Sequence, residues 1–209
     1  MGLCLYVDER VLIPRPETEI LVSAMIANAS ARPGGLRILD VGTGCGNIAI
    51  ALARACPRAE IVAIDISQSA LDVARRNARR HEVFHQITFI CDSIEEFLKS
   101  DFCRARKFDM IIANPPYIPR RELKRLPADV RQEPKVALDG GPDGLRWIRV
   151  IIDEAPGHIA PGGHLAMEIG DGQKSQVAVL LEHRGAYGEI TFTRDCAGVD
   201  RVVTASILS

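Results

Sequence analysis

Hydrophobic and polar positions along this chain follow two alternating periods. Short, nearly continuous apolar runs occur at 37–41 (RILDV), 60–65 (EIVAID), 87–90 (ITFI), 108–114 (FDMIIAN) and 163–170 (GHLAMEIG), and they read as buried strands. The stretches between them carry a helical period. Ile48, Ala51, Leu52 and Ala55 share one face, as do Leu71, Ala74 and Ala78 of a helix that Ser67 is placed to cap. The run 16–29 opens with Pro16 and two glutamates, which suit a helix N-terminus. Strands alternating with helices imply crossover connections and a mostly parallel sheet covered on both faces. The end of the chain breaks the rhythm. EITFTRD and DRVVTASIL are separated only by CAGV, which predicts an antiparallel hairpin. IAPGG (159–163) reads as a turn leading into the fifth strand. Residues 118–146 hold four prolines and the run LDGGPDGL, and predict a long, partly ordered loop with a functional reason for its length.

Composition narrows the class. A chain of 209 residues, 47% hydrophobic and 25% charged, suits one soluble domain with a substantial core. A net charge of −1 argues against gripping long nucleic acid by bulk electrostatics. No apolar run approaches the length of a membrane span, and MGLCLYVDER has no basic leader followed by a long apolar segment. Cysteines at 4, 45, 56, 91, 103 and 196 form no Cys-x-x-Cys pair, so free, mostly buried thiols in a reducing cytoplasm are expected, with no metal site. Trp147 is expected in the core, and a monomer is the default.

The chemistry begins with ILDVGTGCGNIAIALA. Gly42, Gly44 and Gly46 follow a strand directly and precede a helix directly, where glycine lets the backbone turn tightly and approach a ligand. The spacing is Gly-x-Gly-x-Gly, not the dinucleotide fingerprint, and no Lys-Ser/Thr follows, which excludes a P-loop. Asp65 ends the second strand, 23 residues after Gly42, where a carboxylate can accept from both hydroxyls of a ribose. With Asp40 before the glycines and Asp92 after the third strand, three carboxylates fall at the carboxyl ends of adjacent strands, where open α/β sheets bind ligands.

This order of strand, Asp-x-Gly-x-Gly-x-Gly, helix, acid and Asp resembles the class I S-adenosylmethionine-dependent methyltransferases. The resemblance implies a Rossmann-like α/β fold with a seven-stranded, mostly parallel sheet of order 3-2-1-4-5-7-6 and strand seven antiparallel. It implies S-adenosylmethionine as cofactor and S-adenosylhomocysteine as product. It assigns Asp40, Gly42, Thr43, Gly44, Cys45, Gly46, Asp65, Asp92, Ser93 and Asn114 to the cofactor, Ser93 beside its adenosine part. Cys45 itself reads as a small loop residue with no activated thiolate nearby.

The fourth strand closes with Asn114-Pro115-Pro116-Tyr117. In methyltransferases this tetrapeptide marks enzymes acting on a planar, conjugated nitrogen, an amide or an exocyclic base amine. Its lone pair is delocalised, so it is a poor nucleophile. The Asn114 side-chain oxygen and the Pro115 carbonyl can accept its two N–H groups and turn it toward the methyl. Proline removes competing backbone donors and stiffens the segment, and Tyr117 can pack on the planar group.

Flanking segments select among such nitrogens. VLIPRPETEILV (11–22), NPPYIP, EPKVALDGGPDGL (133–145) and the closing DCAGVDRVV resemble, in order, the release factor glutamine methyltransferase family, from about residue 3 to the end. That family methylates the side-chain amide of the glutamine in the Gly-Gly-Gln loop of peptide-chain release factors and carries an N-terminal helical domain. Residues 1–16 are therefore expected as a linker or strand segment after such a domain, and 17–209 as a single catalytic domain. The resemblance places the substrate amide on Asn114 to Tyr117. Arg15 and Glu17 can line the rim of the cleft, although as helix-start residues they need no function. Two rivals stand beside this reading. One is a nucleic-acid methyltransferase acting on an adenine or guanine amine, with the cations of PRRELKR (119–125) on phosphates. The other is a cofactor-binding module that docks a partner.

Overall fold

The computed structural model describes residues 2–30 and 35–208. Helices α1 (Thr18–Ser30), α2 (Asn47–Ala55), α3 (Gln68–Arg80), α4 (Ile94–Lys99), α5 (Asp101–Arg104), α6 (Arg146–Glu154) and α7 (Lys174–Arg184) alternate with strands. The strands are β1 (Arg37–Val41), β2 (Glu60–Asp65), β3 (Ile87–Cys91), β4 (Phe108–Ala113), β5 (Ile159–Glu168), β6 (Tyr187–Arg194) and β7 (Asp200–Ile207). They form one sheet in the order β3-β2-β1-β4-β5-β7-β6. Pairings among β1 to β5 are parallel, and β7 runs antiparallel to both β5 and β6. The order reverses between β1 and β4, which opens a crevice at their carboxyl ends.

The pleat sorts side chains between two cores. Leu39, Val62, Ile64, Ile111, Leu165 and Met167 face α4, α5, α6 and α7. Ile38, Ile61, Ala63, Met110, Ile112 and Ala166 face α1, α2 and α3. Extending the period of two along β4 and β5 carries Asn114 and Glu168 to the α1 face. Ser67 caps α3, its Oγ accepting from the Ala70 N–H at 3.2 Å.

Some expectations change. IAPGG is not a turn before β5 but lies within it. Phe108 pairs with Ile159 and Met110 with His164, so the strand bulges between them. The helix expected from Pro16 begins at Thr18, with Pro16 and Glu17 in the turn that leads into it. Residues 118–146 form an ordered lobe. Ile118 bridges Asp139, and the Gln173 side-chain amide donates to the carbonyls of Tyr117 (3.0 Å) and Gly144 (3.2 Å). The buried Gln173 oxygen accepts from the Gly170 N–H, so one amide ties three loops. Trp147 is not core. It is half-buried on the wall of the crevice, its Nε1 donating to the Asp139 carbonyl. Of the six thiols, Cys4, Cys91 and Cys196 are exposed, contrary to the expectation that most are buried. Among the described residues no helix is long and apolar enough to cross a membrane.

Candidate active site

The glycine loop is shaped from both sides. Gly42 and Thr43 donate their N–H groups to the Ile64 carbonyl, which fastens the loop to β2. Gly46 has φ +86° and sits so close to α3 that a Cβ there would lie 3.2 Å from the Ala74 Cβ. No other residue type meets both conditions without strain. Gly44, at φ +55°, has open space where a Cβ would be, so the loop leaves room on the side facing the crevice.

Asp65 is built into the loop. Its Oδ2 accepts from the Gly44 N–H and its Oδ1 from the Ser67 N–H, both at 2.9 Å. Each oxygen retains a second lone pair. Burial raises the carboxyl above the usual range, and the two backbone donors oppose this. Asp40 plays a different part. It is fully buried, and its Oδ2 accepts from Thr43 Oγ1 (2.7 Å) and the Ala49 N–H (3.2 Å). Its Oδ1 finds no partner, and burial pushes the carboxyl up to about 7. Asp40 braces the loop from behind.

Two cavities meet at the end of β4. One is lined by Gly42, Gly44, Asp65, Asp92, Ser93 and Pro116, with Asn114 and Pro115 at one end. The other is lined by Arg15, Tyr117, Val130 and Leu138, again with Asn114 and Pro115. These two residues are therefore a shared wall. Of the residues the sequence nominates, Thr43, Cys45, Gly46 and Asp40 lie behind the lining rather than in it. The buried side chains of Thr43, Cys45 and Asp40 shape the loop from behind. Burial also pushes the Cys45 thiol up to about 11, which leaves it protonated and inert. Glu17 lines neither cavity. Arg15 does, held by Glu133, both of whose oxygens lie 2.8 Å from Nη2.

Several members of the site are not evident from motifs. Ile66, Trp147, Val136 and the strap Arg10–Leu12 also wall the cavity of the glycine loop. Asn77, wholly buried in α3, accepts from the Tyr6 N–H and donates to the carbonyls of Tyr6 and Cys45, tying the N-terminal strap and the glycine loop to one helix. A lone amide on the apolar face of Leu71, Ala74 and Ala78 was its only signal. Behind Asn114 stands Glu168, 1% exposed, accepting from Thr18 Oγ1 at 2.7 Å and from the Tyr117 hydroxyl at 3.2 Å. Thr18 also lies 3.2 Å from Asn114 Nδ2, which donates to it.

Comparison with known proteins agrees with this geometry. The family profile described as "Methyltransferase domain" matches residues 33–180. The release factor glutamine methyltransferase of Moorella thermoacetica is 44% identical over 98% of this chain and 70% of its own length. That of Gloeobacter violaceus is 43% identical over 96% of this chain and 68% of its own length. Among solved structures, the release factor-specific protein-(glutamine-N5) methyltransferase of Alicyclobacillus acidocaldarius superposes with a TM-score of 0.61 at 29% identity, covering 98% of this chain and all (100%) of that one. A methyltransferase from Pyrococcus furiosus, at 18% identity and TM-score 0.67 over 100% of this chain and 90% of that one, shares the fold. With the sheet order, the glycine loop and the Asn-Pro-Pro-Tyr wall in hand, these likenesses place the chain in the release factor glutamine methyltransferase family.

Proposed function

We propose that the chain transfers the methyl group of S-adenosylmethionine to the side-chain amide nitrogen of the glutamine in the Gly-Gly-Gln loop of a peptide-chain release factor. The observation that carries this is the shared wall: Asn114 and Pro115 border both the cavity of the glycine loop and the second cavity beside it. A donor in one and an acceptor in the other would meet there.

The residues present fit S-adenosylmethionine. Gly42 and Gly44 leave open space where a side chain would intrude, and the free lone pairs of Asp65 suit the two hydroxyls of a ribose. Ile66, 56% exposed, and Trp147 offer apolar surface for a planar base. Asp92 and Ser93 border the same part of the cavity. When bound, the cofactor supplies a methyl group on a sulfonium, already activated toward a nucleophile. The chain's own task is to bind and turn the acceptor. The Asn114 oxygen and the Pro115 carbonyl accept the two amide hydrogens, which favours the charge that develops on nitrogen as the new bond forms. Pro116 has no N–H to compete, and Tyr117 lies against the planar group. An extended acceptor side chain would lie in the second cavity, walled by Leu138, Val130 and the held Arg15.

In this reading residues 17–209 are the catalytic domain, and Tyr6, in the segment before it, straps its glycine loop through Asn77. The lobe 118–146 contributes Pro134 and Val136 to one cavity and Val130 and Leu138 to the other, so an acceptor in the crevice would lie against it. Two of its cations are already engaged, Arg120 with Asp139 and Arg121 with Glu122. The test uses methyl-labelled S-adenosylmethionine with three acceptors in parallel: an unmodified release factor, the same factor with its glutamine changed to alanine, and unmodified ribosomal RNA. Label in the first alone supports the reading. Label in the RNA moves the substrate to a base amine, and equal label in the alanine variant moves it to another protein site.

A further inference from the structure

An Asn side chain serves this chemistry in only one of its two orientations. With oxygen toward the acceptor it receives an N–H. With nitrogen toward the acceptor it opposes donor to donor. Nothing within the tetrapeptide decides which.

The groups behind Asn114 do decide. Glu168 lies at the end of β5, on the α1 face, 1% exposed. Its Oε1 receives the Tyr117 hydroxyl and its Oε2 the Thr18 hydroxyl, the latter at 2.7 Å. Burial pushes the Glu168 carboxyl up, and the hydrogen bonds from Thr18 and Tyr117 hold it down; as a carboxylate it only accepts, so both hydroxyls point their protons at it. Thr18 has one proton, and it is committed. Toward Asn114, 3.2 Å away, the Thr18 oxygen can only accept. The group facing it must be the amide nitrogen, and the Asn114 oxygen is turned the other way. We infer that Glu168 and Thr18 are positioning residues forming a polarised relay that fixes the side-chain amide of Asn114 with its oxygen toward the acceptor nitrogen. The inference rests on the reading that Asn114 holds that nitrogen.

The sequence supplies these parts from three distant places. Thr18 is the first residue of α1, Glu168 the last of β5 and Asn114 the first beyond β4, and the sheet brings them to one point. An ionisable group 1% exposed is rare unless a specific arrangement needs it, and among the described residues no cation hydrogen-bonds to this one. A threonine–carboxylate pair is also a poor way to stabilise a core compared with apolar residues of the same shape.

The test is a double-mutant cycle read by single-turnover methyl transfer to release factor, with S-adenosylhomocysteine affinity as control. Thr18→Val should slow transfer about tenfold or more, with cofactor-product affinity changed less than about twofold. Thr18→Ser, which keeps the hydroxyl, should restore most of the rate. In an Asn114→Ala background Thr18→Val should slow transfer no further, because there is no amide left to orient. Glu168→Gln, of native shape, tests the relay from its other end and should show the same coupling. Unchanged transfer in Thr18→Val, or an equal loss with and without Asn114, would overturn the relay. Full transfer in Asn114→Ala alone would overturn the reading on which it stands.

Discussion

Asp65→Asn is the substitution that isolates charge at the candidate cofactor site with the least change of shape. In the free protein each Asp65 oxygen accepts one backbone N–H at 2.9 Å, from Gly44 and from Ser67, and keeps a lone pair toward the cavity. A ribose diol would place one donor on each. Asparagine has one oxygen, so one of the two charge-assisted bonds disappears and the other becomes neutral. Hydrogen bonds to charged groups contribute about 1.5–3 kcal/mol each. Losing one corresponds to a dissociation constant raised about ten- to a hundred-fold at about 1.4 kcal/mol per decade. The new amide N–H₂ also faces the N–H of Gly44 or Ser67, leaving a donor unmet in the free protein as well. That part lowers stability without contributing to the binding difference. Isothermal titration of wild type and Asp65→Asn with S-adenosylhomocysteine measures the affinity directly. A pH series adds a second readout. Burial raises the Asp65 carboxyl, so wild-type affinity should begin to fall on acidification above the usual carboxylate range, and the variant should lack that step. A dissociation constant within twofold of wild type would place the ribose elsewhere.

Other outcomes follow from the same geometry. Asn114→Ala should leave S-adenosylhomocysteine affinity nearly unchanged and lower kcat by about a hundred-fold, as for loss of one preorganised polar group; equal losses in both would make Asn114 structural. Gly46→Ala places a Cβ at 3.2 Å from that of Ala74 with φ +86°, and should cost about 1–3 kcal/mol in urea unfolding; no change in midpoint would refute the packing argument. Asp40, fully buried with its carboxyl near pH 7, binds a proton in the folded state that the unfolded chain has released from about pH 4 upward. Wild-type stability should therefore fall as pH rises from about 4 toward 7, and Asp40→Asn should flatten that slope; parallel slopes would show Asp40 to be ionised when folded. Glu133→Gln weakens the hold on Arg15 and should raise KM for the release factor severalfold with little effect on kcat; an unchanged KM would detach that pair from acceptor binding.

Much of the fold was legible because its signals are local. Apolar runs of strand length, the glycine loop and the closing CAGV each need only neighbouring residues to be read, and the sheet order followed from resemblance to a known family. What escaped was decided by distant partners. IAPGG carries turn residues, yet pairing with β4 absorbs them as a bulge, since Phe108 and Met110 take Ile159 and His164 as neighbours. The loop 118–146 has no internal period, and its order comes from Gln173, which binds the Tyr117 and Gly144 carbonyls from beyond β5. The burial of Asp40 was not legible from its place in the motif. Asp40 sits one residue out of step with Leu39 and Val41, and the pleat turns it to α2. Thr18 read only as a residue near a helix start and Glu168 as part of a strand. Their meeting behind Asn114 spans 150 residues of chain.

The central claim is that this chain methylates a glutamine side-chain amide. Tandem mass spectrometry of a release factor, digested after incubation with the protein and S-adenosylmethionine, locates the methylated residue, and methylamine released on acid hydrolysis places the methyl on a side-chain amide nitrogen. The account predicts one added methyl on the glutamine of the Gly-Gly-Gln peptide, carried by the side-chain nitrogen, and none when Asn114→Ala replaces the wild-type protein. A methyl on any other residue, or the same modified peptide with Asn114→Ala at wild-type rate, would contradict it.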